Sequence, residues 1–102
     1  MTIHNSIHTL LCMWTIYEKK SLLKSIRLIP KHLKKEYEIW KRIVELQGIQ
    51  GLRMIKGYHD EALKGEWKGF RSSRLSLQWR LFYKAEAEQL EVYVIDINDH
   101  KY

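Results

Sequence analysis

The stretch EALKGEWKGFRSSRLSLQWRLFY, from Glu61 to Tyr83, gathers the residues best able to do chemistry. It sets Lys64, Lys68, Arg71, Arg74 and Arg80 among Trp67, Phe70 and Trp79, and Lys84 follows directly. Cations interleaved with aromatic rings suit single-stranded RNA, because the cations hold phosphates while the rings stack on unpaired bases. The same pattern also fits an ordinary strand with Arg and Lys on its solvent side and rings on its packed side. Glu61 can equally be the partner of Lys64 on a turn. Other chemistries lack their signatures: there is no Gly-rich phosphate loop and no nucleophile elbow. His4 and His8 would share a helical face, but no third ligand is near, so neither a metal site nor a cofactor is expected.

At 102 residues the chain has room for one domain and no second core. Lys and Arg number 18 against 12 Asp and Glu, a net charge of +6. That balance favours a polyanionic partner such as RNA, DNA or an acidic protein segment, and it serves solubility equally well. The single cysteine, Cys12, leaves no internal disulfide and fits a reducing compartment. The most apolar run, Ile7 to Ile16, contains His8 and is too short to cross a bilayer. No Lys or Arg precedes Lys19, which argues against a secretory signal, so a cytoplasmic protein without a membrane role is expected.

Residues 1–12 read as an N-terminal extension or as a lengthening of the sheet edge, and 13–102 as a single domain. A short strand is expected around Trp14 to Tyr17, then a helix from about Lys19 to Ile29 with Leu22, Ile26 and Ile29 on one face and Leu23 widening the stripe. Pro30 stops that helix and can open the next, from Lys31 to Leu46, where Leu33, Tyr37, Trp40 and Val44 share a face. Gly48 is a natural stop. Gln50 to Lys64 reads as a connection with one helical turn. Phe70 to Leu75, Trp79 to Lys84 and Leu90 to Ile97 then read as three strands separated by hairpin-length breaks. In the last, Leu90, Val92 and Val94 face one side and Tyr93, Ile95 and Ile97 the other; a strand apolar on both faces belongs inside a sheet. The expected fold class is α+β: an N-terminal strand, then a two-helix hairpin packed on one face of a small, mainly antiparallel sheet.

These segments resemble the RelE/YoeB/YafQ toxin family. YoeB-type toxins carry a Glu before Pro-Leu-Lys, then Gly-Phe, an Arg on the next strand and Arg-Leu-x-Tyr on the one after. Here those are Glu61 before Ala62-Leu63-Lys64, Gly69-Phe70, Arg74, and Arg80-Leu81-Phe82-Tyr83, at the same spacing. The YafQ-type Trp-Lys-Gly and aromatic-Arg are present as Trp67-Lys68-Gly69-Phe70-Arg71. Family members end soon after the last strand with a His and an aromatic residue, as His100 and Tyr102 do here. The likeness covers Met13 to Tyr102 in layout and is specific from Gly57 onward. The chain departs from the pattern at Ala62, which replaces the usual Pro, at Trp79 before Arg80, and in ending His-Lys-Tyr.

The resemblance implies a RelE-like fold and the toxin of a type II toxin–antitoxin system. Its activity would be ribosome-dependent cleavage of mRNA, in which the 2′-hydroxyl attacks the adjacent phosphate. Glu61 would be the general base and need partial burial. Arg80, assisted by Arg74, would hold the phosphorane oxygens. His100 would be the general acid, since imidazole titrates nearest neutrality, and Tyr102 would position the RNA or assist proton transfer. His59 is a second candidate acid or base. Lys64, Lys68, Arg71 and Lys84 would bind RNA. The implied partners are the ribosome with its mRNA and a cognate antitoxin, in a hetero-oligomer. Two alternatives stand beside this: a ParE-type toxin of the same fold that inhibits DNA gyrase without catalysis, and a plain RNA-binding module.

Overall fold

Pro30 divides the helical half of the chain. In the computed structural model, which describes residues 13–100, strand β1 (Thr15–Glu18) leads into helix α1 (Lys20–Leu28). Ile29 is extended (φ −76°, ψ 154°), as a residue before proline prefers, and Pro30 then caps helix α2 (Lys31–Arg53). Four more strands follow: β2 (Glu61–Ala62), β3 (Phe70–Arg74), β4 (Arg80–Glu86) and β5 (Glu91–Asn98). They form one sheet in the order β1-β5-β4-β3-β2, in which only the β1–β5 pair is parallel. The two-face apolarity of β5 thus does put it inside the sheet. Residues 1–12, with Cys12, His4 and His8, and Tyr102 at the other end, lie outside the described residues.

The helices cover one face of this sheet. Leu33, Tyr37, Trp40 and Val44 of α2 are at most 1% exposed and pack with Leu22 and Ile29 against Leu81, Tyr83, Val92, Val94 and Ile97. Leu23 does not widen the α1 stripe; it is 46% exposed, because Leu22, Ile26 and Ile29 already fill the contact. The periodicity of β5 also breaks. Tyr83 pairs with Val94 but Phe82 pairs with Asp96, so Ile95 is an extra residue in the ladder. Such a bulge shifts the two-residue period by one. Ile97, expected opposite Val92 and Val94, therefore joins them in the core. Leu90 is not a strand residue but a left-handed one (φ 55°) closing the turn before β5.

Gly48 does interrupt the second helix, but the chain resumes a helical turn to Arg53. Its backbone (φ 69°, ψ −160°) is one that only glycine adopts readily. A second demand falls on the same position. Met13 and Trp14 both donate backbone hydrogen bonds to the Glu45 carbonyl, bringing the Trp14 indole so close that a Cβ on Gly48 would lie 2.5 Å from it.

The segment entering β2 is held by a buried carboxylate. The Asp60 side chain is fully buried and accepts from Arg71 Nε (2.9 Å) and Nη2 (2.6 Å), Ser73 Oγ (2.6 Å) and Tyr83 OH (2.6 Å). Trp40 Nε1 in turn donates to Ser73 Oγ at 3.0 Å, tying α2 to the cluster. Before it, His59 adopts a left-handed conformation (φ 44°) that turns the chain inward; after it, Glu61 points to the sheet's other face. Burial, with the Asp60 charge beside it, holds the Tyr83 phenol well above its ordinary value, and burial with Glu18 does the same for Tyr37.

Three outcomes follow. Gly48→Ala destabilises the fold by about 1–3 kcal/mol through overpacking and strain, read by urea denaturation. Asp60→Ala leaves a guanidinium and two hydroxyls without their acceptor and costs about 3–5 kcal/mol, a large part of a small domain's stability; native-like denaturation midpoints would refute this. Below about pH 9 the tyrosines are protonated in folded and unfolded chains alike and add no pH dependence. Above about pH 10 the unfolded chain releases protons that the folded one retains, so stability falls as pH rises; Tyr83→Phe makes that alkaline decline shallower.

Candidate active site

The face of the sheet away from the helices is where most of the expected site residues meet. Residues paired across strands point to the same side of the sheet. Glu61 pairs with Ser72, Ser72 with Phe82, and Phe82 with Asp96, giving one row across four strands. In the next row Arg74 lies opposite Arg80 and Arg80 opposite Asn98. Flanking the first row from the other direction, on this same face, run Phe70, Lys84, Tyr93 and Tyr17. The strands thus bring Glu61, Arg74 and Arg80 onto one face. Beyond β5, His100 lines a cleft of about 220 Å³ with Trp67, Phe82, Asp96 and Asn98. Tyr102 is outside the described residues.

Arg74 and Arg80 set two guanidinium-bearing side chains directly across from each other at this end of the face. Glu61 closes the row beside it. Its carboxylate lies 3.4 Å from Nε2 of His59 and is 45% exposed, so the burial expected of a general base is shallow. His59, the second-choice imidazole, is therefore the one in contact with the candidate base. His100 is 83% exposed; its backbone N–H donates to Asn98 Oδ1 at 3.0 Å and its Nε2 lies 3.9 Å from Asp99 Oδ1. Asp96 accepts from its neighbour's amide, Ile97 N, at 2.9 Å and from Asn98 Nδ2 at 2.8 Å, which fixes both cleft residues. Among the described residues no three His, Cys, Asp or Glu side chains converge as metal ligands do.

The expected RNA-binding cations divide. Lys64 and Lys68 flank the short turn Gly65–Trp67 and are exposed. Lys84 is exposed on the open face, 3.4 Å from Glu86. Arg71 is on the opposite, helix-covered side, engaged with Asp60. Trp67 rests on two rings of the open face, tilted against Phe82 and edge-on to Phe70, each at 5.8 Å. Sequence reasoning overlooked Ser72, Asp96 and Asn98. A strict two-residue period puts Asp96 with Val94 in the core; the bulge at Ile95 turns it outward, and no residue type announces that bulge.

The sequence matches no protein-family model and no curated protein. Solved structures do match. RelE from the RelE–RelB complex of Pyrococcus horikoshii OT3 superposes with a TM-score of 0.69 at 14% identity, covering 85% of this chain and 94% of that one. YafQ from E. coli strain BL21(DE3) gives 0.67 at 19% identity, with 85% and 93% covered. The YoeB dimer from Staphylococcus aureus gives 0.67 at 15%, with 87% and 99% covered. Two helices on one face of a five-stranded mixed sheet, in a chain that spans nearly the whole length of these structures, is the fold this chain shares with RelE, YafQ and YoeB.

Proposed function

We propose that this chain is the toxin of a toxin–antitoxin pair and an endoribonuclease that cleaves mRNA on the ribosome. The observation that carries the reading is the meeting of Glu61, Arg74 and Arg80 on the one sheet face that the helices leave open. Glu61 takes the proton from the RNA 2′-hydroxyl as that oxygen attacks the adjacent phosphorus. Arg80 and Arg74 present fixed donors to the charge that grows on the phosphorane oxygens. The bond to the 5′ oxygen then breaks, leaving a 2′,3′-cyclic phosphate, and an imidazole protonates the departing oxygen. His100, in the cleft beside Asp96, is the assigned acid; His59, in contact with Glu61, supports the base. Tyr102 positions the RNA. Lys64, Lys68 and Lys84 hold flanking phosphates or ribosomal RNA, whereas Arg71 serves the fold.

The solved neighbours also support a partner. The P. horikoshii RelE was crystallised with RelB and the E. coli YafQ with DinJ. A chain of net charge +6 suits an antitoxin segment that is acidic and folds on binding. Among the described residues no helix is long and apolar enough to cross a membrane; the cytoplasm, where ribosomes are, is the proposed site of action.

Induced expression of the wild type should produce new mRNA 5′ ends inside translated codons. Glu61→Gln and Arg80→Ala should each reduce that cleavage about 10²- to 10⁴-fold with the fold retained. His100→Gln should cost more than His59→Gln. Growth arrest with intact mRNA, unaltered by Glu61→Gln, would overturn the nuclease reading in favour of a non-catalytic poison of the ParE kind.

A further inference from the structure

Strand β3 carries two adjacent buried serines that differ in one respect. Ser73, facing the helices, is fully used: it accepts from Trp40 Nε1 and donates to Asp60. Ser72, facing the open side, is 1% exposed, yet among the described residues its Oγ has no hydrogen-bond partner. Two residues on, and on the same side, the Nε of Arg74 is also buried without a partner. A buried donor left unmade is costly, and two on successive outward positions of one strand are unusual in a native protein. Both are donors, and both stand in the rows that hold Glu61 and the Arg74–Arg80 pair.

We infer that Ser72 Oγ and Arg74 Nε form a phosphate-binding pair that is closed in the free protein and opens when Trp67 leaves it for an RNA base. Phe70 precedes Ser72 by two residues on the same face, Phe82 lies directly opposite, and Trp67 rests on both rings. Phe70 and Phe82 thus flank Ser72 along β3 and across the β3–β4 ladder. The turn that bears Trp67 is bounded by Gly65 (φ 65°) and Gly69 (φ 96°), at neither of which would a Cβ meet another atom within 4 Å, so the turn's ends are not packed in place. Trp67 is itself 42% exposed, and stacking on an unpaired base replaces the ring contacts it would give up. Ser72 is then a substrate-positioning residue: it holds a non-bridging oxygen of the RNA phosphate beside Glu61. The identity of the anion as an RNA phosphodiester rests on the nuclease reading above; the donor pair does not.

The test uses the full chain, with inorganic phosphate and an uncleavable 2′-O-methyl RNA trinucleotide as probes, against chloride at equal ionic strength. Phosphate should raise the melting temperature of the wild type beyond the chloride control, and should shift the Arg74 Nε–H resonance. Ser72→Ala should weaken both probes about tenfold or more, while its own melting temperature stays equal to the wild type's or rises, since no hydrogen bond is lost. Trp67→Ala should bind inorganic phosphate more tightly and the trinucleotide less tightly. Equal phosphate response in the wild type and Ser72→Ala, or a trinucleotide that fails to compete with phosphate, overturns the inference. Ser72-dependent binding of both probes by a protein that cuts no mRNA would keep the subsite and discard the nuclease. Cleavage at unaltered KM and kcat in Ser72→Ala would do the reverse.

Discussion

The Asp60 carboxylate is the interaction on which the working face depends. It collects donors from β3 and β4, and through Ser73 it reaches Trp40 of α2, so three elements distant in sequence are referred to one buried charge. A buried anion is tolerable only when its lone pairs are filled, and here they are. The consequence for function is directional. Because Asp60 is held inward, the extended chain must aim the next residue, Glu61, outward across the sheet. Asp60 thus fixes where the Glu61 carboxylate stands on the open face.

The two faces of the sheet are built to opposite standards. On the helix side the large core residues are almost wholly buried and the polar ones are paired. On the open side the Ser72 hydroxyl and the Arg74 Nε are buried with no hydrogen-bond partner among the described residues, and Trp67 lies partly in solvent. Each of those features lowers the stability of the free chain. They persist because the first face supplies enough stability to carry them, the pattern expected where strain is kept for ligand binding.

Much of the architecture was legible because it rests on period and punctuation. Leu33, Tyr37, Trp40 and Val44 announce a helix face, Pro30 a boundary, and Val92 with Val94 an interior strand. The Glu61, Arg74 and Arg80 grouping was legible only through the resemblance to YoeB-type toxins, since Glu61 by itself reads as part of a connection and reaches that face through its register with Ser72. What could not be read depends on register and local backbone. The Ile95 bulge moved Ile97 into the core and Asp96 out of it, and nothing in their side-chain types differs from an unbulged strand. Asp60 was overlooked for a related reason: an acidic residue in a connection is ordinarily solvated, and its burial follows from where Arg71, Ser73 and Tyr83 arrive in space. Gly48 was read as a stop, but the Trp14 indole that makes glycine necessary comes from a strand more than thirty positions earlier.

Counting cations would have misjudged the site, because strand parity assigns them. Arg71 and Arg74 are three residues apart on one strand, an odd number, and so they must point to opposite faces. Arg71 neutralises a buried carboxylate; Arg74 faces the open side, opposite Arg80. The positive charge on the open face is therefore not that of the whole basic run between Lys64 and Lys84. It is the part of that run with the same parity as Arg80, extended by the lysines of the Trp67 turn. Parity also explains why Ser72 and Ser73, identical in type and both buried, stand in unrelated surroundings. One shares a face with Asp60 and Trp40, the other with Glu61 and Arg74, and which chemistry each serves follows from the pleat.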